Sequence, residues 1–309
     1  SALIYFTNTN APYITLKSFF MKKILLFITL ICFFSSSAQV TQIWTDYDSF
    51  WTSSSTAINP VKPNTAHNLL AFRWNGTNYS TAVNNAKLTA NGVTFSNTKF
   101  RALPINSVPL TGSSSYFIGL GALVDGLPTA VDNGATNPFA PITTGVQKAT
   151  YLTKGVQGLD LGSCLTNIPA TTTIRFNLSA SGITLSNVND GKPDILVSQV
   201  ASPSSTADKF KFVNAAGVTV GSEISVTLTD NTNYPTVGNW TVDFYENNST
   251  QSSSGFINTD RTLKFFAVDL TTFGITLANY TSAVALIYTP GGDSDPAFLA
   301  FNEPSLGIA

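Results

Sequence analysis

The chain has 309 residues, 43% of them hydrophobic and only 11% charged, with 16 basic and 17 acidic side chains close to balance. That composition can fill the core of one large domain or two smaller ones, and the lack of any basic cluster argues against nucleic acid and anionic membrane surfaces as partners. Solubility rests instead on Ser, Thr and Asn, which decorate strand faces and turns.

Residues 1–20 precede the only methionine, Met21, and read as a spurious upstream extension. From Met21 the chain has the pattern of a secretory signal. Lys22 and Lys23 form its positive start, Ile24 to Phe34 its apolar stretch, and Ser36-Ser-Ala38 the small residues before a cleavage site. The apolar stretch is shorter than the about 20 residues that a membrane helix needs, so residues 21–38 are expected to be a cleaved signal peptide. The mature chain then starts at Gln39, does not span the membrane, and reaches the outside through secretion machinery. All 17 acidic residues lie after Ala38, whereas Lys17, Lys22 and Lys23 lie before it, so the mature net charge is 13 minus 17, or −4. Cys32 leaves with the signal, and Cys164 is left as a lone buried thiol. His67 is the only histidine, and nothing near either residue marks a catalytic dyad.

From Gln42 onward, short β-rich runs alternate with turn residues and helix signals are scarce. Phe72 and Trp74 share one strand face. Ala86 to Phe95 reads as two strand pieces across Asn91-Gly92, a pair that tolerates positive φ in a tight hairpin. Residues 107–145 are rich in Gly, Pro, Ser and Asn and read as long rim loops, where binding function concentrates. Thr172 to Leu178 alternates, with Ile174, Phe176 and Leu178 on one face. Asp194 to Val200 reads as a well-buried strand, followed by Lys209 to Val213, Glu223 to Leu228, Trp240 to Tyr245, Thr262 to Leu270, Ser282 to Tyr288 and Ala297 to Phe301. Gly274 to Tyr280 fits a short helix or turn. Strands that follow one another without intervening helices pair antiparallel and pack as sheets. The expectation is an all-β, antiparallel, jelly-roll-like sandwich of two packed sheets over residues 39–309, with sub-regions 39–145 and 146–309. No period of about 20 to 50 residues repeats, which argues against a propeller or solenoid.

Two acidic loops are candidate cation sites. Asn187-Val-Asn-Asp-Gly-Lys-Pro-Asp194 resembles the calcium loop of FG-GAP-type repeats, in which alternate oxygen-bearing side chains and a glycine turn wrap a hard cation. Asp190, Gly191 and Asp194 fall on that pattern; Ser186 and Val188 occupy its two earlier ligand positions, and Asn187 and Asn189 fit in a shifted register. The alternative is a turn whose residues tolerate left-handed backbone. Asp293 and Asp295, in Gly291-Gly-Asp-Ser-Asp-Pro296, are spaced for one cation or for sugar hydroxyls, or else form a solvated turn. Calcium is the one cofactor these loops suggest. Asp125 and Asp132 are further turn acids. Paired carboxylates at the right separation could hydrolyse a glycoside, but no local motif marks one, and hydrolase, kinase and zinc motifs are missing. Trp74, Trp240 and Tyr245, with Asp243 between the last two, are candidate glycan contacts, since sugar rings stack on aromatic faces beside carboxylates; alternating aromatics also build cores.

Five segments carry a wider resemblance: Gly158 to Gly162, Asp190 to Gln199, Gly238 to Tyr245, Ala267 to Gly274 and Asp295 to Asn302. Together with a Met-Lys-Lys signal ending in Ser-Ser-Ala-Gln, they resemble the N-terminal part of large surface proteins of gliding flavobacteria and other Bacteroidota. The resemblance covers Gln147 to Asn302. It implies an outer-surface or secreted location, and continuation into adhesive repeats and a sorting domain for type IX secretion. The expected function is therefore a non-enzymatic surface module that contacts glycans or cell-surface polymers. A carboxylate-based polysaccharide-acting enzyme and a structural spacer of a larger protein remain the alternatives.

Overall fold

Among the described residues, alternating β-branched and aromatic residues form 17 strands in three sheets. The computed structural model describes residues 39–54, 58–59, 67–108, 117–120, 143–170, 172–246 and 259–309, all within the unit Ala38–Ala309. The signal segment, Asp125 and Asp132 lie outside the described residues, as do most of residues 107–145.

The first sheet has four strands in the order β2 (Trp51–Thr52), β1 (Val40–Thr45), β4 (Leu69–Trp74), β5 (Thr77–Ser80). The second has eight. Seven run β6 (Phe100–Ala102), β16 (Leu299–Asn302), β10 (Ile195–Gln199), β14 (Thr259–Val268), β13 (Gly238–Glu246), β7 (Phe117–Leu120), β8 (Ser163–Leu165), and the short β3 (Ile58–Asn59) lies parallel to β13. The third has five, ordered β12 (Thr219–Val226), β11 (Asp208–Val213), β15 (Ala285–Thr289), β9 (Ile174–Ile183), β17 (Leu306–Ile308). All other strand pairs are antiparallel.

The eight-stranded sheet is the middle layer. Leu196, Phe265, Ala267 and Trp240 project from it into one apolar cluster with Ile43, Phe72 and Trp74 of the four-stranded sheet. Their chain neighbours Ile195, Val197, Phe266 and Val268 project the other way, into a cluster with Phe176, Phe210, Phe212 and Tyr288 of the five-stranded sheet. Successive side chains on a strand leave on opposite faces, so a strand inside the middle layer is apolar at every position. β10 accordingly buries all five of its residues. Each large apolar side chain moved out of water contributes about 1.5–3 kcal/mol, and two cores of this kind hold the three layers. The all-β antiparallel sandwich expected from the sequence is present, with a third sheet beyond the expected two.

One element differs in kind. Residues 86–95 do not form a hairpin; a helix spans Asn85–Ala90, capped by Asn84, whose Oδ1 accepts the Lys87 N–H at 2.9 Å. Leu88 is buried with Trp44, Leu70 and Ala71 on the outer face of the four-stranded sheet. Gly92, at φ 73°, supplies the left-handed residue that ends the helix. The Asn-Gly pair does supply left-handed backbone, but that geometry terminates helices as readily as it turns hairpins. Among the described residues, no helix is long and apolar enough to cross a membrane.

Candidate functional site

One end of the middle sheet carries a cavity of about 240 Å³ lined by Thr166, Asn167, Ala201, Ser202, Phe244, Arg261 and Asp295. Five chain segments meet there: the stretch after β8, the stretch after β10, β13, β14 and the turn before β16. Asp295 fastens three of them. Its Oδ1 accepts the Asn167 N–H and its Oδ2 the Ser202 N–H, both at 2.8 Å, while its own N–H donates to Gln199 Oε1 at 2.9 Å. Burial pushes the Asp295 carboxyl up to about 7, against the opposing pull of those two N–H donors. The guanidinium of Arg261 lies over the Phe244 ring, 5.3 Å from its centroid, and donates to the Asp260 carbonyl at 3.0 Å. Burial lowers the Arg261 pKa and the nearby carboxylates of Asp295 and Asp260 oppose that.

A second cavity of about 430 Å³ shares Ala201, Ser202 and Arg261 with the first and extends along Thr229, Asn231, Thr236 and Lys264. Lys264 Nζ donates to the Leu228 carbonyl at 2.7 Å and to Asn231 Oδ1 at 2.6 Å. Together the two cavities form a groove of hydroxyl and amide groups with Arg261 at their common wall. Beneath the same end, Asp208 accepts the Gly291 N–H at 2.7 Å, the Ser294 hydroxyl, and the Tyr288 hydroxyl at 3.3 Å. Its pKa is raised by burial, and it ties β11 to the 291–294 turn.

The expected aromatic contacts are core residues. Trp240 is fully buried, and its indole N–H donates to the Val200 carbonyl at 2.7 Å. Trp74 is buried likewise and donates to the Ala267 carbonyl at 3.0 Å. Tyr245 and Asp243 are also buried, on the opposite face of β13 from Phe244. The structure thus places none of these rings at the surface, because both faces of the middle sheet are covered; Phe244 is the β13 aromatic that reaches the groove.

The two acidic loops behave differently from one another. In the first, Asn189 has φ 67° and Gly191 φ 71°; Asp190 Oδ1 accepts the Lys192 N–H at 2.9 Å and its Oδ2 lies 3.8 Å from Lys192 Nζ. Asn187 Oδ1 accepts the Ser186 hydroxyl at 3.0 Å. Asp194 is fully buried and accepts the Leu270 N–H at 2.8 Å, beside Asp269, which accepts the Thr271 N–H at 2.6 Å. Asp194 Oδ1 and Asp269 Oδ2 have no hydrogen-bond partner, and burial pushes the Asp194 carboxyl up to about 8. In the second loop, Asp293 is exposed while Asp295 faces the two backbone donors described above. Among the described residues, no group of three or more His, Cys, Asp or Glu side chains is arranged to hold a metal ion.

Cys164 is buried, as expected. His67 is buried too, ringed by Tyr47 at 5.1 Å, Trp51 at 6.0 Å and Trp240 at 6.5 Å between centroids. Neither of its ring nitrogens has a hydrogen-bond partner.

Arg261 is the groove residue that sequence reasoning missed. Its signal was present: one of few arginines, in the polar first half of a strand whose second half is apolar, Thr259-Asp-Arg-Thr-Leu-Lys-Phe-Phe-Ala-Val268. No family model, curated protein or solved structure matches the chain.

Proposed function

We propose that the chain is a module of an exported protein, secreted or held at the outer cell surface, that contacts glycans or related surface polymers through the groove around Ser202 and Arg261 without carrying out a reaction. The observation that carries this reading is the groove itself. Hydroxyls of Thr166, Ser202, Thr229 and Thr236, amides of Asn167 and Asn231 and one guanidinium line two adjoining cavities of about 240 and 430 Å³. Such groups exchange hydrogen bonds with sugar hydroxyls, and the combined volume falls within the few hundred to about 1,000 Å³ typical of small-ligand sites. The signal pattern at residues 21–38 and the resemblance to flavobacterial surface proteins support export. The raised carboxyls of Asp208 and Asp295 turn their oxygens to backbone N–H and hydroxyl donors of the framework, which supports binding over carboxylate-driven hydrolysis.

A glycan array probed with the recombinant chain tests this. Ser202 is exposed and borders both cavities, so Ser202→Trp fills the groove mouth while keeping the backbone N–H that Asp295 accepts. Binding by the wild type and its loss in Ser202→Trp, at unchanged Tm, is the expected result. A blank across broad neutral and acidic arrays removes the reading and leaves the spacer role.

A further inference from the structure

Three Asn-Gly pairs occur in the chain, Asn75-Gly76, Asn91-Gly92 and Asn133-Gly134, and the last lies outside the described residues. An asparagine before glycine is open to a reaction of its own, because glycine has no side chain to shield its N–H and its backbone moves freely. Both described pairs are exposed, and open space surrounds both glycines. Hydrogen bonding separates them. Asn91 closes the helix Asn85–Ala90: its Nδ2 donates to the Lys87 carbonyl at 2.9 Å, its N–H to the Lys87 and Leu88 carbonyls at 3.2 Å, and the Gly92 N–H to the Thr89 carbonyl at 3.0 Å. Its carboxamide and the nitrogen that would attack it are both held. Asn75 and Gly76, at φ 51° and 76°, form the two-residue tip of the β4–β5 hairpin, between the paired Trp74 and Thr77. The Asn75 N–H donates to the Gln39 carbonyl at 3.3 Å. Neither the Asn75 carboxamide nor the Gly76 N–H has a hydrogen-bond partner among the described residues.

From this contrast we infer that Asn75 is a site of spontaneous covalent modification in the folded protein, a deamidation through a succinimide, and that Asn91 is protected from it. The Gly76 nitrogen gives up its proton and attacks Asn75 Cγ; the N–Cγ bond forms, the Cγ–Nδ2 bond breaks, and the amide leaves as ammonia. Water, the only co-reactant, then opens the five-membered ring at one or other carbonyl and leaves aspartate or isoaspartate at position 75. Either product adds one negative charge to the hairpin tip. Isoaspartate also lengthens the main chain by one methylene, between strands whose register sets Phe72 opposite Tyr79 and Trp74 opposite Thr77. A two-residue turn has no slack to absorb the extra atom. The isoaspartyl product therefore loosens the edge strand β5 from β4, which carries Phe72 and Trp74 into the core.

The test holds the folded, full chain in warm, mildly alkaline buffer, which favours the attacking amide anion. Trypsin then separates the two asparagines, since cleavage after Arg73, Lys87 and Lys99 leaves Asn75 in the peptide 74–87 and Asn91 in 88–99. Mass spectrometry reads the gain of one mass unit in each peptide, fragment spectra assign it to a residue, and isoaspartyl methyltransferase labels the isoaspartyl product. The expected result is modification at Asn75 about tenfold or more faster than at Asn91, whose hydrogen bonds must open first, with the two rates converging in urea. An Asn75 that stays intact in the folded chain but reacts in urea, or equal rates at Asn75 and Asn91 in the folded chain, overturns the inference. Asn75→Asp carries the new charge on an unaltered backbone and is expected to keep the wild-type Tm, whereas the purified isoaspartyl form melts lower. An isoaspartyl form that melts together with Asn75→Asp overturns the account of the turn.

Discussion

Acidification from pH 7.5 to 4 is expected to destabilise the wild type through His67 far more than it destabilises His67→Phe. The imidazole is fully buried among Tyr47, Trp51 and Trp240 with no partner on either nitrogen, and desolvation lowers its pKa from 6.5 to about 3. With the folded value depressed, the unfolded chain takes up the proton first, so stability is lost as pH falls through the window between 6.5 and about 3. At about 1.4 kcal/mol per unit, the loss at pH 4 amounts to roughly 3 kcal/mol, approaching 5 kcal/mol at the bottom of the window. That is a large share of the about 5–15 kcal/mol that holds a domain folded. Phenylalanine fits the aromatic surroundings and has nothing to protonate. Urea unfolding followed by tryptophan fluorescence at both pH values gives the stability gap between the two proteins. It should shift by roughly 3 kcal/mol in favour of the variant at pH 4. Asp194 and Asp295, raised by burial to about 8 and about 7, work in the opposite sense: their contribution is full below the unfolded carboxylate value and is lost as pH rises through the folded ones. Both proteins carry them, so they cancel in the gap. A gap that moves by less than about 1 kcal/mol refutes the account of His67 as a buried, neutral imidazole that resists its proton.

Asp295→Ala removes the acceptor of two N–H groups, those of Asn167 and Ser202; at about 1–3 kcal/mol for each buried donor left unsatisfied, a loss of several kcal/mol in urea unfolding is expected, with glycan binding weakened alongside. A loss under about 0.5 kcal/mol would mean that these loops hold their shape without the carboxylate. For the 187–194 loop, the calcium reading predicts that millimolar calcium raises Tm by mass action on the folded state, and that Asp190→Ala and Asp194→Asn each remove the rise. An absent shift, or one that persists in both variants, ends that reading.

The strands that the sequence made legible are those whose pattern needs no knowledge of a partner. Ile195–Gln199 is expected from a Val/Ile/Leu-rich run, Asp208–Val213 as one of a pair of runs joined through Asn214-Ala-Ala-Gly217, and Gly238–Glu246 from alternation, and each lies within a residue or two of its expected bounds. Alternation on β13 separated Trp240, Val242 and Phe244 from Thr241, Asp243 and Tyr245 correctly. What it could not tell is which of those faces meets water, and in a middle layer neither does. A tryptophan on such a strand therefore looks identical, in sequence, to one on an exposed binding face.

The groove was illegible for a related reason. Thr166, Ser202, Phe244, Arg261 and Asp295 come from five segments between residues 166 and 295, and only the packing of β8, β10, β13, β14 and the turn before β16 brings them to one sheet end. Asp295 was visible as an acid in a turn, yet its neighbours decide its role: two backbone donors make it the fastener of the groove. Arg261, one strand away, lies over the Phe244 ring, with the carboxylates of Asp295 and Asp260 near enough to oppose the lowering of its pKa by burial.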